Sequence, residues 1–256
     1  MSDTENQPDF VAHRKFSIPR SLLEKSGPVD QADQIADAHV AALRRFAGLN
    51  TARWVMEIGC GFGLNAIDVM EQFPMDARYV GVDVDEQAID WAQKNITSKT
   101  ANFWFHPLDQ ALFEDDKPFL PAQSASIELV YGFGVFHSIY PDGFSRYLSE
   151  VSRVLRPGGS VFLTLYVIRP GLITHLSAKG GNSETDLRFI HLVDRGFYLN
   201  DPADKNSATG FSERKLGAMA RRARLVPTRL IKGGWSNDGV GEIDGPDALI
   251  LTKPVF

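Results

Sequence analysis

Past Arg53 the chain settles into a rhythm of short apolar runs separated by amphipathic stretches. Trp54-Val55-Met56-Glu57-Ile58 is too short for a typical helix and is followed by glycines, so it predicts a buried strand. Tyr79–Val82, Phe103–Phe105, Ile127–Tyr131 and Val161–Val167 repeat that pattern. Between them the apolar period lengthens to that of a helix. Leu64–Phe73 is predicted to be one, stopped by Pro74. A second follows Asp85 as its cap, with Ala88, Ile89, Ala92 and Ile96 on one face. The clearest passes through Phe144, Tyr147, Leu148, Val151, Val154 and Leu155 at i, i+3, i+4, i+7 spacing and ends at Pro157-Gly158-Gly159. A last helix starts at Ser212, with Phe211 and Leu216 spaced for a hydrophobic staple. Two strands follow it, near 226–231 and 248–252, with no helix between them.

Ahead of this rhythm a helix is predicted from an N-cap near Asp30, its apolar face formed by Ile35, Val40, Leu43, Phe46 and Ala47. Residues 1–10 are polar and expected to be disordered. Strands alternating with helices imply an α/β fold: a doubly wound, mostly parallel seven-stranded sheet with an antiparallel edge hairpin and an N-terminal helical segment. Residues 1–50 are then a tail and helical cap, and 51–256 one domain. Residues 170–210 break the rhythm. Rich in Gly, Asn, Ser and Asp, they are expected to form a lid or substrate insertion over the active-site edge.

Composition narrows the partners. With 256 residues, 43% hydrophobic and 23% charged, the chain suits one large α/β domain with an ordinary core. A net charge of −5 argues against a broad nucleic-acid footprint. No apolar run reaches membrane-spanning length, and the acidic start lacks the layout of a signal peptide, so no membrane partner and a cytoplasmic location are expected. Cys60 is the only cysteine, which rules out an intrachain disulfide and fits a reducing compartment. No Cys/His cluster has ligand spacing, so no metal is expected. The oligomeric state is not legible.

The chemistry concentrates in Glu57-Ile58-Gly59-Cys60-Gly61-Phe62-Gly63, between the first strand and the next helix. Glycines there allow a sharp turn and close ligand approach, and the helix start supplies free N–H groups. Either a dinucleotide pyrophosphate or the carboxylate of a methionine moiety could use them. The third glycine comes one residue early for the G-x-G-x-x-G fingerprint. Glu57 is badly placed for a pyrophosphate, yet it could accept loop N–H bonds or attract a cationic ligand. Asp83, ending the second strand, can accept ribose hydroxyls from either ligand class, while Asp85 reads as a helix cap.

Taken with Gly81-Val82-Asp83-Val84, His106-Pro107-Leu108-Asp109-Gln110, Ile127–Tyr131 running on to His137, and Val151–Ser160, this loop resembles the ordered motifs of class I S-adenosylmethionine-dependent methyltransferases. The resemblance covers about residues 50–168. It implies S-adenosylmethionine as cofactor, with Gly59, Gly61 and Gly63 lining the methionine and ribose, and Cys60 within the same loop. It further implies Asp83 on the ribose hydroxyls and Val84 on the adenine face. Asp109 would accept from the adenine amino group with Gln110 beside it, and Tyr131, Gly132 and Phe133 would lie near the sulfonium. Glu128 replaces the more usual Asp. A softer resemblance links Gly233-Gly234-Trp235 and Asp247–Ile250 to methyltransferases of glycan or natural-product pathways, which favours a small hydroxylated acceptor.

A hydroxyl must lose its proton, and histidine is the usual base. His137, after the fourth strand, is the first candidate and His191 the second; His13, His39, His106 and His175 read as structural. The basic helix carrying Arg214, Lys215, Arg221, Arg222 and Arg224 reads as a solvated face. The expectation is O-methylation of a small-molecule acceptor. A nicotinamide-dependent oxidoreductase and a non-catalytic S-adenosylmethionine-binding subunit are the alternatives.

Overall fold

The computed structural model describes residues 9–70, 73–99, 101–108, 119–178, 187–204, 207–237, 239 and 241–255. The chain opens with a hairpin, β1 (Phe10–His13) and β2 (Phe16–Pro19), then a short helix α1 (Arg20–Leu23) and the long helix α2 (Ala32–Phe46). The alternating units follow: β3 (Trp54–Ile58), α3 (Leu64–Val69), β4 (Ala77–Asp83), α4 (Glu86–Asn95), β5 (Ala101–Pro107), β6 (Ile127–Gly132), α5 (Pro141–Val154) and β7 (Leu155–Ile168). The remainder is α6 (Leu172–Ala178), β8 (His191–Asp194), β9 (Phe197–Leu199), β10 (Thr209–Ser212), α7 (Glu213–Arg222), β11 (Val226–Ile231) and β12 (Asp247–Thr252).

Strands β5, β4, β3, β6 and β7 pair in that order, all parallel, and β12 and β11 add antiparallel beyond β7. These are the seven strands anticipated from the sequence. Their residues alternate between two cores, as a sheet covered on both faces requires. Val55, Tyr79 and Ile250 pack with α2, α3 and α4, whereas Met56, Val80 and Leu249 pack with α5 and α7. The Asp85 carboxylate caps α4, accepting from Gln87 N at 3.1 Å and Ala88 N at 3.2 Å, and Ser212 Oγ caps α7.

Five expectations need correction. The stretch 1–10 is expected to be disordered, yet Phe10 opens β1 and pairs with Pro19 of β2. Helix α2 starts at Ala32 after a 3₁₀ turn, with no side-chain cap from Asp30, because Pro28 already sets the chain into that turn. Helix α3 is regular only to Val69. Helix α5 ends at Val154, and Leu155 turns straight into β7, which absorbs Pro157-Gly158-Gly159 through an irregularity in its pairing with β6. The described parts of 170–210 are regular rather than a loose loop. They form α6 and three short strands, β10 pairing with Tyr166–Ile168 of β7 and β9 and β8 adding outward, so the sheet has ten strands. Strands of three or four residues, one exposed throughout, leave no periodicity to read.

Two tethers hold the rim of the sheet. Thr209 on β10 donates its N–H to the His137 carbonyl at 2.7 Å and its hydroxyl to the Ile139 carbonyl at 3.1 Å, fixing the loop after β6. Asp247, fully buried, accepts from Val167 N, Gly233 N, Arg169 Nη1 and Trp235 Nε1 at 2.8–2.9 Å. It thereby ties β7, the turn after β11 and β12 into one corner. Among the described residues no helix is long and apolar enough to cross a membrane.

Removing one partner of a buried ion pair costs about 3–5 kcal/mol. Asp247→Ala is therefore expected to lower the unfolding free energy by that order in urea, with an unchanged m-value. A loss under about 1 kcal/mol would show that the corner is solvated.

Candidate active site

The carboxyl ends of β3, β4 and β6 open into one cavity of about 910 Å³, the place where open α/β sheets bind ligands. Gly59, Cys60 and Gly61 form its floor, Asp83 one side, and Phe133 and His137 the other. Helix α2 closes it from above with Gln34, Ala38, His39 and Ala42, and residues 243–246 form the last wall.

The floor is built by backbone. Gly59 N and Cys60 N both donate to the Val82 carbonyl, at 2.8 and 3.1 Å, bending the chain off β3 across the end of β4. Gly61 takes a positive φ of 52°, and no atom lies within 4 Å of where its Cβ would be, so the space above it is open to a ligand. Its N–H donates to Asp83 Oδ2 at 2.7 Å, while Oδ1 accepts Asp85 N at 2.9 Å. A carboxylate offers about four lone-pair sites, so Asp83 retains capacity for two hydroxyls. Burial pushes the Cys60 thiol up, which keeps it protonated and unreactive.

Several anticipated site residues do not line the cavity. Glu57 points from β3 into the α2–α4 core, because strand alternation gives it the face of Val55 rather than that of Ile58. There Asn65 Nδ2 donates to Oε1 at 2.7 Å, and the hydroxyls of Tyr79 and Tyr131 donate to Oε2, the latter at 3.0 Å. Burial raises this carboxyl to about 7 against those three donors. Tyr131 is thus a core residue, and Gly132 is buried with it, leaving only Phe133 of that trio at the cavity. Gly63 ends the loop in the core, its Cβ position 2.4 Å from Ile96 Cδ1. Val84 is exposed outside the cavity lining, and His191 is exposed on β8. Asp109 and Gln110 lie outside the described residues.

His39, which reads from the sequence as structural, and Asn65, which carries no expectation there, both line it. His39 stacks flat on Phe133, ring centroids 3.7 Å apart at 12°, and its Nδ1 lies 2.9 Å from Asn65 Oδ1. Asn65 itself also faces the cavity. The signal was present as Gln31, Ile35, Ala38, His39 and Ala42, a stripe at helical spacing beside the buried face of α2. Burial lowers the pKa of both His39 and His137, so both imidazoles are neutral at pH 7. Three carboxylates, Asp83, Asp85 and Asp244, face the cavity against Lys25, whose ammonium is bound to Asp85. The field favours a cationic ligand.

Residues 55–159 match the family model described as a methyltransferase domain. The chain is similar to the human tRNA N(3)-cytidine methyltransferase METTL2B, 23% identical over 170 residues, covering 64% of this chain and 44% of that protein. It is also similar to the phthiotriol/phenolphthiotriol dimycocerosates methyltransferase of Mycobacterium leprae, 32% identical over 136 residues, covering 52% of this chain and 45% of that one. It therefore spans less than half the length of either relative. In fold it is similar to a SAM-dependent methyltransferase from Aquifex aeolicus, with TM-score 0.56, 14% identity, and coverage of 91% and 97% of the two chains. The described residues fit S-adenosylmethionine: open space over Gly61, acceptor capacity on Asp83 and a negative field for a sulfonium.

Two measurements check this site. Asp83→Ala is expected to weaken S-adenosylhomocysteine binding by about 1–3 kcal/mol, the range for lost hydrogen bonds in a buried site; wild-type affinity by calorimetry would remove Asp83 from it. Glu57 has a raised folded pKa, so its contribution to stability is complete below 4.5 and lost as pH rises through about 7. Relative to Glu57→Gln, the wild type should lose about 1.4 kcal/mol of unfolding free energy per unit between about pH 5 and 7. A pH-independent difference would mean that the carboxyl keeps an ordinary pKa.

Proposed function

The chain carries a class I S-adenosylmethionine-dependent methyltransferase domain, and from that premise we propose that it methylates a small-molecule acceptor at a hydroxyl. The observation that carries this reading is the placement of a neutral His137 in the same roofed cavity as Asp83 and the glycine floor. At about 910 Å³ the cavity stands at the upper end of small-molecule sites, with room for a second small molecule beside the cofactor.

When bound, S-adenosylmethionine supplies a methyl already activated by its sulfonium, whose sulfur keeps the bonding pair as the S–CH₃ bond breaks. Asp83 and the glycine loop would hold its adenosine end at the carboxyl ends of β3 and β4. Helix α2 and residues 243–246 exclude water and hold the acceptor in line, a proximity effect. His137 takes the hydroxyl proton as the new C–O bond forms, and the carbonyl anchored by Thr209 N fixes its loop. His191, exposed on β8, has no part in this step. The reducing compartment that a lone buried cysteine suits is consistent with a cytoplasmic enzyme.

One relative is named for tRNA, so an RNA acceptor is the second reading. Among the described residues the only cation facing the cavity is Lys25, already paired, whereas the basic residues of α7 belong to the α5–α7 side of the sheet, opposite α2. Nucleic-acid affinity rests on several free phosphate contacts, which favours the small acceptor.

Transfer of labelled methyl from S-adenosylmethionine into a metabolite panel, run beside total RNA, tests the proposal. Label in an organic-soluble or polar metabolite is expected; label in RNA alone, or in nothing despite cofactor binding, overturns it. With an acceptor in hand, His137→Ala should keep cofactor affinity and lower turnover about 10²–10⁴-fold. The wild-type rate should fall on the acid side with an apparent pKa below 6.5.

A further inference from the structure

We propose that His39 binds the methionine end of the cofactor, accepting a hydrogen bond at Nε2 from its α-ammonium, with Asn65 and Glu57 as the residues that position it. The inference rests on the cofactor of this cavity and not on the identity of the acceptor.

The polarity of the chain Glu57–Asn65–His39 is determined by its far end. Glu57 Oε1 receives the Asn65 amide N–H₂ at 2.7 Å, so Asn65 presents its carbonyl oxygen to His39. A carbonyl oxygen only accepts, so Nδ1 of His39 carries the hydrogen across that 2.9 Å contact. The neutral ring, kept so by burial, then has its lone pair on Nε2. The flat stack on Phe133 holds the ring plane. A histidine built this way is an acceptor with one orientation.

Position along the sheet identifies what it accepts from. Asp83 at the end of β4 takes the ribose, and β5 lies on the adenine side of it. On the other side the ligand must run over Gly61 and Gly59 toward the ends of β3 and β6. His39 lies there, bonded to Asn65 in the helix that follows the glycine loop and stacked on Phe133 beyond β6. The only cationic hydrogen-bond donor on an S-adenosyl ligand is the α-ammonium at that end. Asp244, in the wall formed by residues 243–246, adds a carboxylate to the same cavity.

The test compares S-adenosylhomocysteine with 5′-methylthioadenosine, which keeps the adenosine and sulfur and lacks the amino-acid end. Calorimetry is run on the full chain, wild type, His39→Ala and His39→Phe; the phenylalanine keeps an aromatic stack on Phe133 without Nε2. Both variants are expected to bind S-adenosylhomocysteine roughly tenfold to a hundredfold more weakly, as for a lost hydrogen bond to a charged group, and methylthioadenosine within about twofold of wild type. Equal losses for both ligands, or rescue by phenylalanine, would make His39 a packing residue and overturn the proposal; so would unchanged affinity for both. Failure of the wild type to bind S-adenosylhomocysteine would remove the cofactor premise itself. Ring-nitrogen NMR of the wild type gives a readout without substitution. The Nδ1–H form is expected, with a shift at His39 Nε2 when S-adenosylhomocysteine is added; an Nε2–H form or an unmoved resonance overturns it.

Discussion

A carboxyl buried without partners would cost several kcal/mol, and the centre of this fold is arranged around meeting that cost at Glu57. Its oxygens receive hydroxyls from Tyr79 on β4 and Tyr131 on β6, and the amide of Asn65 on α3. One side chain on β3 is therefore bonded to both flanking strands and to the helix above. Displacing any of these elements would strip a donor from a fully buried acid. That constraint holds the three strand ends in mutual register, and those strand ends carry the glycine floor, Asp83 and Phe133.

The same network reaches the roof. Asn65 passes the bond on to His39, so the position of α2 over the cavity is coupled to the carboxyl below it. A second polar cluster secures the far side of that helix. His13, buried on the N-terminal hairpin, meets the carboxylates of Asp33 on α2 and Asp68 on α3, and Arg14 also bonds Asp68, at 2.7 Å. The pull of those two carboxylates outweighs the burial of His13 and raises its pKa, while Asp68 is held low. The roof is thus attached by two polar clusters rather than by apolar packing alone. Polar contacts demand specific geometry where apolar ones tolerate sliding, which suits a surface that must close over a ligand at one angle.

The seven strands and the main helices were legible because each carries a strong period. Trp54–Ile58 and Val226–Ile231 are bounded where the sequence reading placed them, and Asp85 and Ser212 cap the helices they were expected to cap. What escaped was whatever local pattern does not encode. Strands β8, β9 and β10 form only because the end of β7 projects past its other partners and offers unpaired backbone. The motif leaves Glu57 between the loop N–H groups and a cationic ligand, yet its direction follows from strand alternation, and Tyr79 and Tyr131 are too far along the chain to be seen as its donors. His39 escaped for the opposite reason: a single histidine in an amphipathic helix looks like any other until the helix is laid over the sheet.

The division of labour across the cavity follows from which elements are rigid. Asp83 and the glycine loop are bonded into the parallel strands, the part of the fold with the most long-range pairing, and they face the end of the ligand that is chemically constant. The wall formed by residues 243–246 and the loop of His137 hang from the rim instead, each held by a tether outside the central sheet: Asp247 for the first, Thr209 for the second. Thr209 on β10 holds the His137 loop and Asp247 holds the corner that carries the 243–246 wall, so the part of the cavity away from Asp83 is set by segments in which no strong period is seen, and the Asp83 side by the part where periodicity is plainest.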